Sequence, residues 1–88
     1  MKTQRLILQC EGGLHLRVAA KAVREAQGRR ATLHVDCEGC PRANACSILE
    51  LLKLGAARGT PLELTADGPD EEEALRALTE VFTGGGGI

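Results

Sequence analysis

His15 and Arg17 stand two positions apart in the stretch Gly12-Gly13-Leu14-His15-Leu16-Arg17. A neutral imidazole carries one ring nitrogen with an open lone pair, which makes it a nucleophile able to take a transferable group. A guanidinium keeps its charge at any ordinary pH and donates hydrogen bonds in a fork that matches phosphate oxygens. Together the two types suggest phosphoryl chemistry, provided the chain holds them at a place that tolerates an anion.

The neighbouring residues supply such a place. From Leu16 the apolar residues Leu16, Ala19, Ala20, Val23 and Ala26 recur at helical spacing, while Arg17, Lys21, Arg24 and Glu25 fall elsewhere on the wheel. His15 is therefore expected at the N-cap or first turn of an amphipathic helix that ends at Gly28, where a left-handed cap is expected. A helix start leaves about four N–H groups without helical acceptors and carries roughly half a unit of positive charge. Anions bind there readily, and Gly12 and Gly13 leave room for a second protein to approach.

The other elements follow from patterning. Residues 3–10 read as a strand running into the glycine pair, and residues 31–37 alternate around Leu33, Val35 and Cys37 before a turn at Glu38-Gly39. Pro41 cannot donate to a sheet ladder, so the next strand is expected to be short or at an edge. Ser47 and Glu50 have capping-box spacing ahead of a short helix that stops at Gly55. That helix presents Ile48, Leu49, Leu51, Leu52 and Leu54, more apolar surface than one face needs, so part of it is expected to meet a partner. Leu62 and Leu64 alternate in a last strand, and Leu75, Leu78, Val81 and Phe82 form the core stripe of a last helix with an acidic first turn. The order is strand, helix, strand, strand, helix, strand, helix, which suits an α+β open-faced β-sandwich.

Composition narrows the function classes. With 88 residues and 43% apolar content, the chain makes one small domain, taken as residues 1–83, with residues 84–88 as a flexible Gly-rich tail. One Phe and no Trp or Tyr leave no aromatic platform for stacking bases. Eleven basic and twelve acidic side chains give a net charge of −1, so no global field draws nucleic acid or a membrane surface. The apolar run Leu6-Ile7-Leu8 falls far short of the roughly 20 residues of a membrane span, and a cytoplasmic location without membrane insertion is expected.

The four cysteines raise a second question. In a reducing compartment thiols or metal ligation are favoured over disulfides. Cys37 and Cys40 form a C-x-x-C across the expected turn, and Cys46 with Cys10 or His34 could complete a tetrahedral zinc site. Against this, a second C-x-x-C is missing, and His34 should face away from Cys37 because their positions differ by an odd number. Plain thiols are the favoured reading, no metal is assigned, and a reversible Cys37–Cys40 disulfide stands beside metal binding as an alternative.

The run GGLHLRVAAKAV, followed about thirty residues later by NACSILELLKLGAARGTPLELTADGPDEEEALRAL, resembles the histidine-containing phosphocarrier family, HPr, of the bacterial phosphoenolpyruvate-dependent sugar phosphotransferase system. The family signature G-[IL]-H-A-R-P-A is matched by Gly13, Leu14, His15, Arg17 and Ala19. A second signature, a serine opening a short apolar helix that ends in leucine-glycine, is matched by Ser47 through Gly55. The resemblance implies a four-stranded antiparallel sheet with three helices on one face, and no cofactor. It implies that His15 accepts a phosphoryl group from phosphorylated enzyme I, with Arg17 stabilising it in transfer, and passes it to an enzyme IIA domain in sugar uptake or its regulation. The chain would then be a relay with a covalent phosphohistidine and not a stand-alone enzyme. Leu16, Ile48, Leu49 and Leu52 would form the partner-docking patch, Ser47 would be a regulatory phosphorylation site for a serine kinase/phosphorylase, and a monomer is expected.

Three positions depart from the family pattern. Val18 stands where proline follows the arginine, Leu16 where a small alanine lies beside the histidine, and Glu50 where a small residue lies in the docking helix, which would put charge near the interface. Two rival readings keep the fold: a cysteine-dependent metal-binding or redox module needing Cys37, Cys40 and Cys46, and a docking regulator that transfers no phosphoryl group.

Overall fold

The computed structural model describes residues 1–10, 12–38 and 42–83. The elements run β1 (Lys2–Ile7), α1 (Leu16–Gln27), β2 (Thr32–Cys37), β3 (Ala43–Asn44), α2 (Ile48–Leu54), β4 (Pro61–Asp67) and α3 (Glu71–Phe82). All strand pairings are antiparallel and the sheet order is β1-β4-β2-β3.

Register explains which face is covered. Leu6 pairs with Leu62, Val35 with Leu64, and Leu33 with Ala66, so these side chains share one face, where all are buried. The intervening residues Arg5, Glu63 and Asp36 lie in one row on the opposite face, where Arg5 Nε pairs with Glu63 Oε2 at 3.1 Å. The helices close the apolar face: Val18, Ala19, Ala22, Val23 and Ala26 of α1 and Ala74, Leu75, Leu78, Val81 and Phe82 of α3 are all buried against it. The expected three-helix open-faced sandwich is the fold observed. Its interior is almost wholly aliphatic, with Phe82 the one aromatic ring.

Several local expectations are corrected. β1 stops at Ile7 and does not extend to Cys10, because Leu8 N bonds Thr60 O at 3.0 Å and Gln9 N bonds Phe82 O at 2.9 Å, pulling the backbone out of the ladder. Gly28 has φ −80° and not a left-handed value; the chain leaves α1 through an Arg29 N to Ala26 O bond of 3.1 Å. Gly55 does take the left-handed cap at the end of α2, with φ 59°. The capping box of α2 forms by half: Ser47 Oγ accepts from Glu50 N at 3.3 Å, whereas Glu50 Oε1 accepts from Asn44 N at 3.1 Å. β3 is short and lies at the sheet edge, as a nearby proline requires. Gly39, Cys40, Pro41 and the tail over 84–88 lie outside the described residues.

Candidate functional site

The site is built by a loop held on both sides. After β1 the chain turns through Gly12 and Gly13, both at positive φ (83° and 75°). On one side Leu14 N bonds Ala56 O at 2.9 Å and Gly59 N bonds Leu8 O at 2.7 Å, fastening the loop to the segment after α2. On the other side the buried Cys10 thiol donates to Val81 O at 3.1 Å, fastening it to the end of α3. Gly13 N donates to Cys10 O and His15 N to Gly13 O, at 2.9 and 3.0 Å, and the buried Leu14 anchors the loop to the core.

This loop delivers His15 as the N-cap of α1, in extended conformation at φ −101° and ψ 179°. Its carbonyl takes the first helical bond, from Ala19 N at 2.9 Å, and its ring Nδ1 accepts from Arg17 N at 3.3 Å. An imidazole nitrogen that accepts an N–H carries its lone pair there, so the neutral ring holds its hydrogen on Nε2. The nucleophilic nitrogen is thus Nδ1, and it faces the helix start. The N–H groups of Leu16, Arg17 and Val18 come before the first helical donor, and so point toward the same space. The other edge of the ring lies over Gly12, where a Cβ would stand 3.3 Å from Cδ2.

Arg17 is exposed at the second helical position and has no ion pair among the described residues. Val18, one turn into the helix, is fully buried, so the departure from proline there contributes a core side chain. Leu16 and Leu49 are 63% and 72% exposed, the largest apolar exposures in α1 and α2. Ile48 and Leu52 are partly buried and packed against the core, while Leu51 and Leu54 belong to it. Ser47 is half-buried at the N-cap of α2.

The cysteines are dispersed. Cys10 lies beneath the loop, Cys46 is an exposed thiol in the turn before α2, and Cys37 is disulfide-bonded at the end of β2. Among the described residues no group of three or more His, Cys, Asp or Glu side chains is arranged to hold a metal ion. Cys37 pairs with Leu62 on the covered face and His34 with Thr65 on the other, as alternation requires. Cys40 lies outside the described residues.

Two interactions could not be read from local sequence. Asp70 reaches across to accept from Arg30 N at 3.0 Å and Ala31 N at 2.8 Å, joining the start of α3 to the start of β2. The stretch from Ala56 to Thr60 forms the floor of the histidine loop; its only sequence signal is Gly59, and nothing local names its partner.

A four-stranded antiparallel sheet with three helices on one face, and a histidine capping the first of them, define a small carrier domain that presents one nucleophilic nitrogen at a helix start. Residues 2–83 match the family model described as PTS HPr component phosphorylation site. Phosphocarrier protein HPr of Neisseria meningitidis is 42% identical over 72 residues, covering 82% of this chain and 80% of that protein. Phosphocarrier protein NPr of Escherichia coli is 38% identical over 73 residues, covering 83% and 81%. Among solved structures, an HPr of Thermoanaerobacter tengcongensis superposes with a TM-score of 0.86 at 34% identity, covering 93% of this chain and 91% of that one. The chain belongs to the HPr family and is a phosphocarrier of the phosphotransferase system. Among the described residues no helix is long and apolar enough to cross a membrane.

Proposed function

We propose that His15 is the phosphoryl acceptor, that phosphorylated enzyme I is its donor, and that enzyme IIA domains are its acceptors, in the cytoplasm. The observation that carries this reading is the Nδ1 lone pair turned toward the start of α1 by the Arg17 N–H. In transfer, Nδ1 forms a bond to phosphorus as the donor's P–N bond breaks, and that bonding pair returns to the donor ring. Nδ1 exchanges its hydrogen bond for phosphorus, and the N–H groups at the helix start then serve the phosphoryl oxygens. Arg17 adds a full positive charge from solvent. The protein's part is positioning and charge neutralisation, with no metal or small cofactor. Leu16, Ile48, Leu49 and Leu52 form the docking patch, and a phosphate on Ser47, at its edge, would add charge and desolvation cost to docking.

A relay that shows one face to several partners works as a monomer, although Crh of Bacillus subtilis, a solved relative 34% identical, is described as an intertwined dimer with a swapping domain. The deciding test is intact-mass measurement after incubation with the host's enzyme I and phosphoenolpyruvate, beside His15→Ala. A single acid-labile phosphoryl adduct that the variant lacks is expected; an unmodified wild type overturns the reading. Light scattering of the same sample tests the monomer.

A further inference from the structure

Cys10 is a buried thiol, 3% exposed, beneath the histidine loop, and the phosphoryl chemistry described above makes no use of its sulfur. A helix end leaves its last carbonyls without helical donors. In α3, Thr83 N serves Thr79 O at 2.9 Å. Among the described residues the donors that reach Val81 and Phe82 come from the chain leaving β1. Cys10 Sγ donates to Val81 O at 3.1 Å and lies 3.6 Å from Phe82 O, and Gln9 N donates to Phe82 O at 2.9 Å. The loop is tied to the last turn of α3 at two points, and one of them is a side chain.

From Cys10 the hydrogen bonds continue to the imidazole. Gly13 N donates to Cys10 O at 2.9 Å, His15 N to Gly13 O at 3.0 Å, and Arg17 N to His15 Nδ1 at 3.3 Å. The last of these is the longest, beyond the usual 2.7–3.2 Å of an N–H donor, so the hold on the ring is sensitive to where the loop carries it. Without the thiol, Gln9 N still ties the chain to Phe82 O and Leu14 N still ties it to Ala56 O. The loop then keeps its place but can turn between those two points, taking the Cys10 carbonyl, Gly13 and the ring with it.

We propose that Cys10 is a positioning residue for phosphoryl transfer: its thiol, bonded to the last turn of α3, sets the orientation in which the His15 ring presents Nδ1. A thiol is a weak donor, but at a site 3% exposed water does not take its place. Transfer is sensitive to placement, since a misplacement of about 1 Å can cost roughly a hundredfold in rate. Cys10 is buried and does not touch a partner, so its effect falls on the transfer step and not on docking. The consequence for transfer rests on His15 being the acceptor; the consequence for the ring stands without it.

The test reads the ring and the transfer separately in the full chain. Nitrogen-15 NMR of His15 reports which ring nitrogen carries the hydrogen, and kinetics with the host's enzyme I and phosphoenolpyruvate report kcat and KM for phosphorylation. In the wild type the neutral ring should carry its hydrogen on Nε2. Cys10→Ala, and Cys10→Val, which fills the space without a donor should the alanine loosen the fold, should raise the fraction with hydrogen on Nδ1. Both should lower kcat by roughly tenfold and leave KM within about twofold. Cys10→Ser, which keeps a donor, should restore ring and rate together. Leu75→Ala, at a buried site in the first half of α3, should lower stability and leave the ring and kcat as in the wild type. An unchanged ring or an unchanged kcat in the donorless variants, a serine that restores neither, or an equal shift in Leu75→Ala overturns the proposal. A wild type that takes no phosphoryl group overturns instead the assignment of His15 as acceptor, and the NMR comparison still decides whether Cys10 sets the ring.

Discussion

Replacing Gly13 by alanine should separate the demands of the histidine loop from those of an ordinary turn. At φ +75° an L side chain meets backbone strain of about 1–2 kcal/mol. The new Cβ would also stand 2.5 Å from Ala56 O and 3.0 Å from Ala57 Cα, both backbone atoms that no rotamer change can move. Relief requires separating the loop from its floor, which strains the Leu14 N to Ala56 O bond and costs a further 1–3 kcal/mol or so. The total is about 3 kcal/mol against a stability of about 4–13 kcal/mol for a chain of this length. That corresponds to a fall of roughly 12–24 °C in Tm. Gly59→Ala is the control: its φ is +93°, but a Cβ there meets nothing within 4 Å, so only the strain remains. Urea unfolding of both variants gives the difference directly. Equal losses would show that the close approach of the two segments contributes nothing and would refute the account of how His15 is positioned.

Acid should act through the first turn of α3. The Arg30 N–H, joined by that of Ala31, holds the Asp70 carboxyl below its ordinary 3.8, and the Gly68 N–H and Lys2 hold Glu71 and Glu72 below 4.5. Folded values below unfolded ones mean stability present in full above about pH 4 to 5 and lost as pH falls through the folded values; the urea midpoint should fall over that range, and Asp70→Asn should flatten the fall. Leu49→Ala, at a 72% exposed site, should leave stability within about 0.5 kcal/mol of wild type while slowing phosphoryl transfer from enzyme I. Leu51→Ala, two positions on and fully buried, should cost about 2–5 kcal/mol; the reverse pattern would show that the docking face of α2 is misassigned.

Residues whose partners lie close in sequence were legible before the structure. His15 as an N-cap, Ser47 as an N-cap and the stripe Leu75, Leu78, Val81 and Phe82 all follow from spacing within one or two helical turns. Gly28 misled because a glycine after a helix permits a left-handed cap without requiring one. The end of β1 was misplaced because it is decided by Thr60 and Phe82, more than fifty residues away. The same holds for Asp70, whose carboxylate accepts from the Arg30 N–H, forty residues away. The residues proposed to carry the chemistry, His15 and Arg17, stand out in the sequence; the ring nitrogen that carries the lone pair does not, because it depends on which backbone N–H the folded loop presents.

Glu50 shows how the structure changes a functional inference. In sequence it places a carboxylate in the docking helix, where unpaired charge would discourage an apolar partner. In the fold its Oε1 is turned back to Asn44 N at 3.1 Å, and so it serves the join between β3 and α2. On α1 and α2 the most exposed apolar side chains are Leu16 and Leu49, and Ile48 and Leu52 of α2 are half-buried. The proposed patch of four aliphatic side chains would suit brief docking: large enough to orient a partner toward His15, too small to hold it after transfer. Leu16, next to His15 and 63% exposed, is the largest departure within that patch, so it is where selection among partners should be concentrated. Leu16→Ala should broaden the set of enzyme IIA domains that accept the phosphoryl group without changing stability by more than about 0.5 kcal/mol. Competition between two such domains for the phosphorylated protein reads that out, and an unchanged ratio would place selectivity outside the patch.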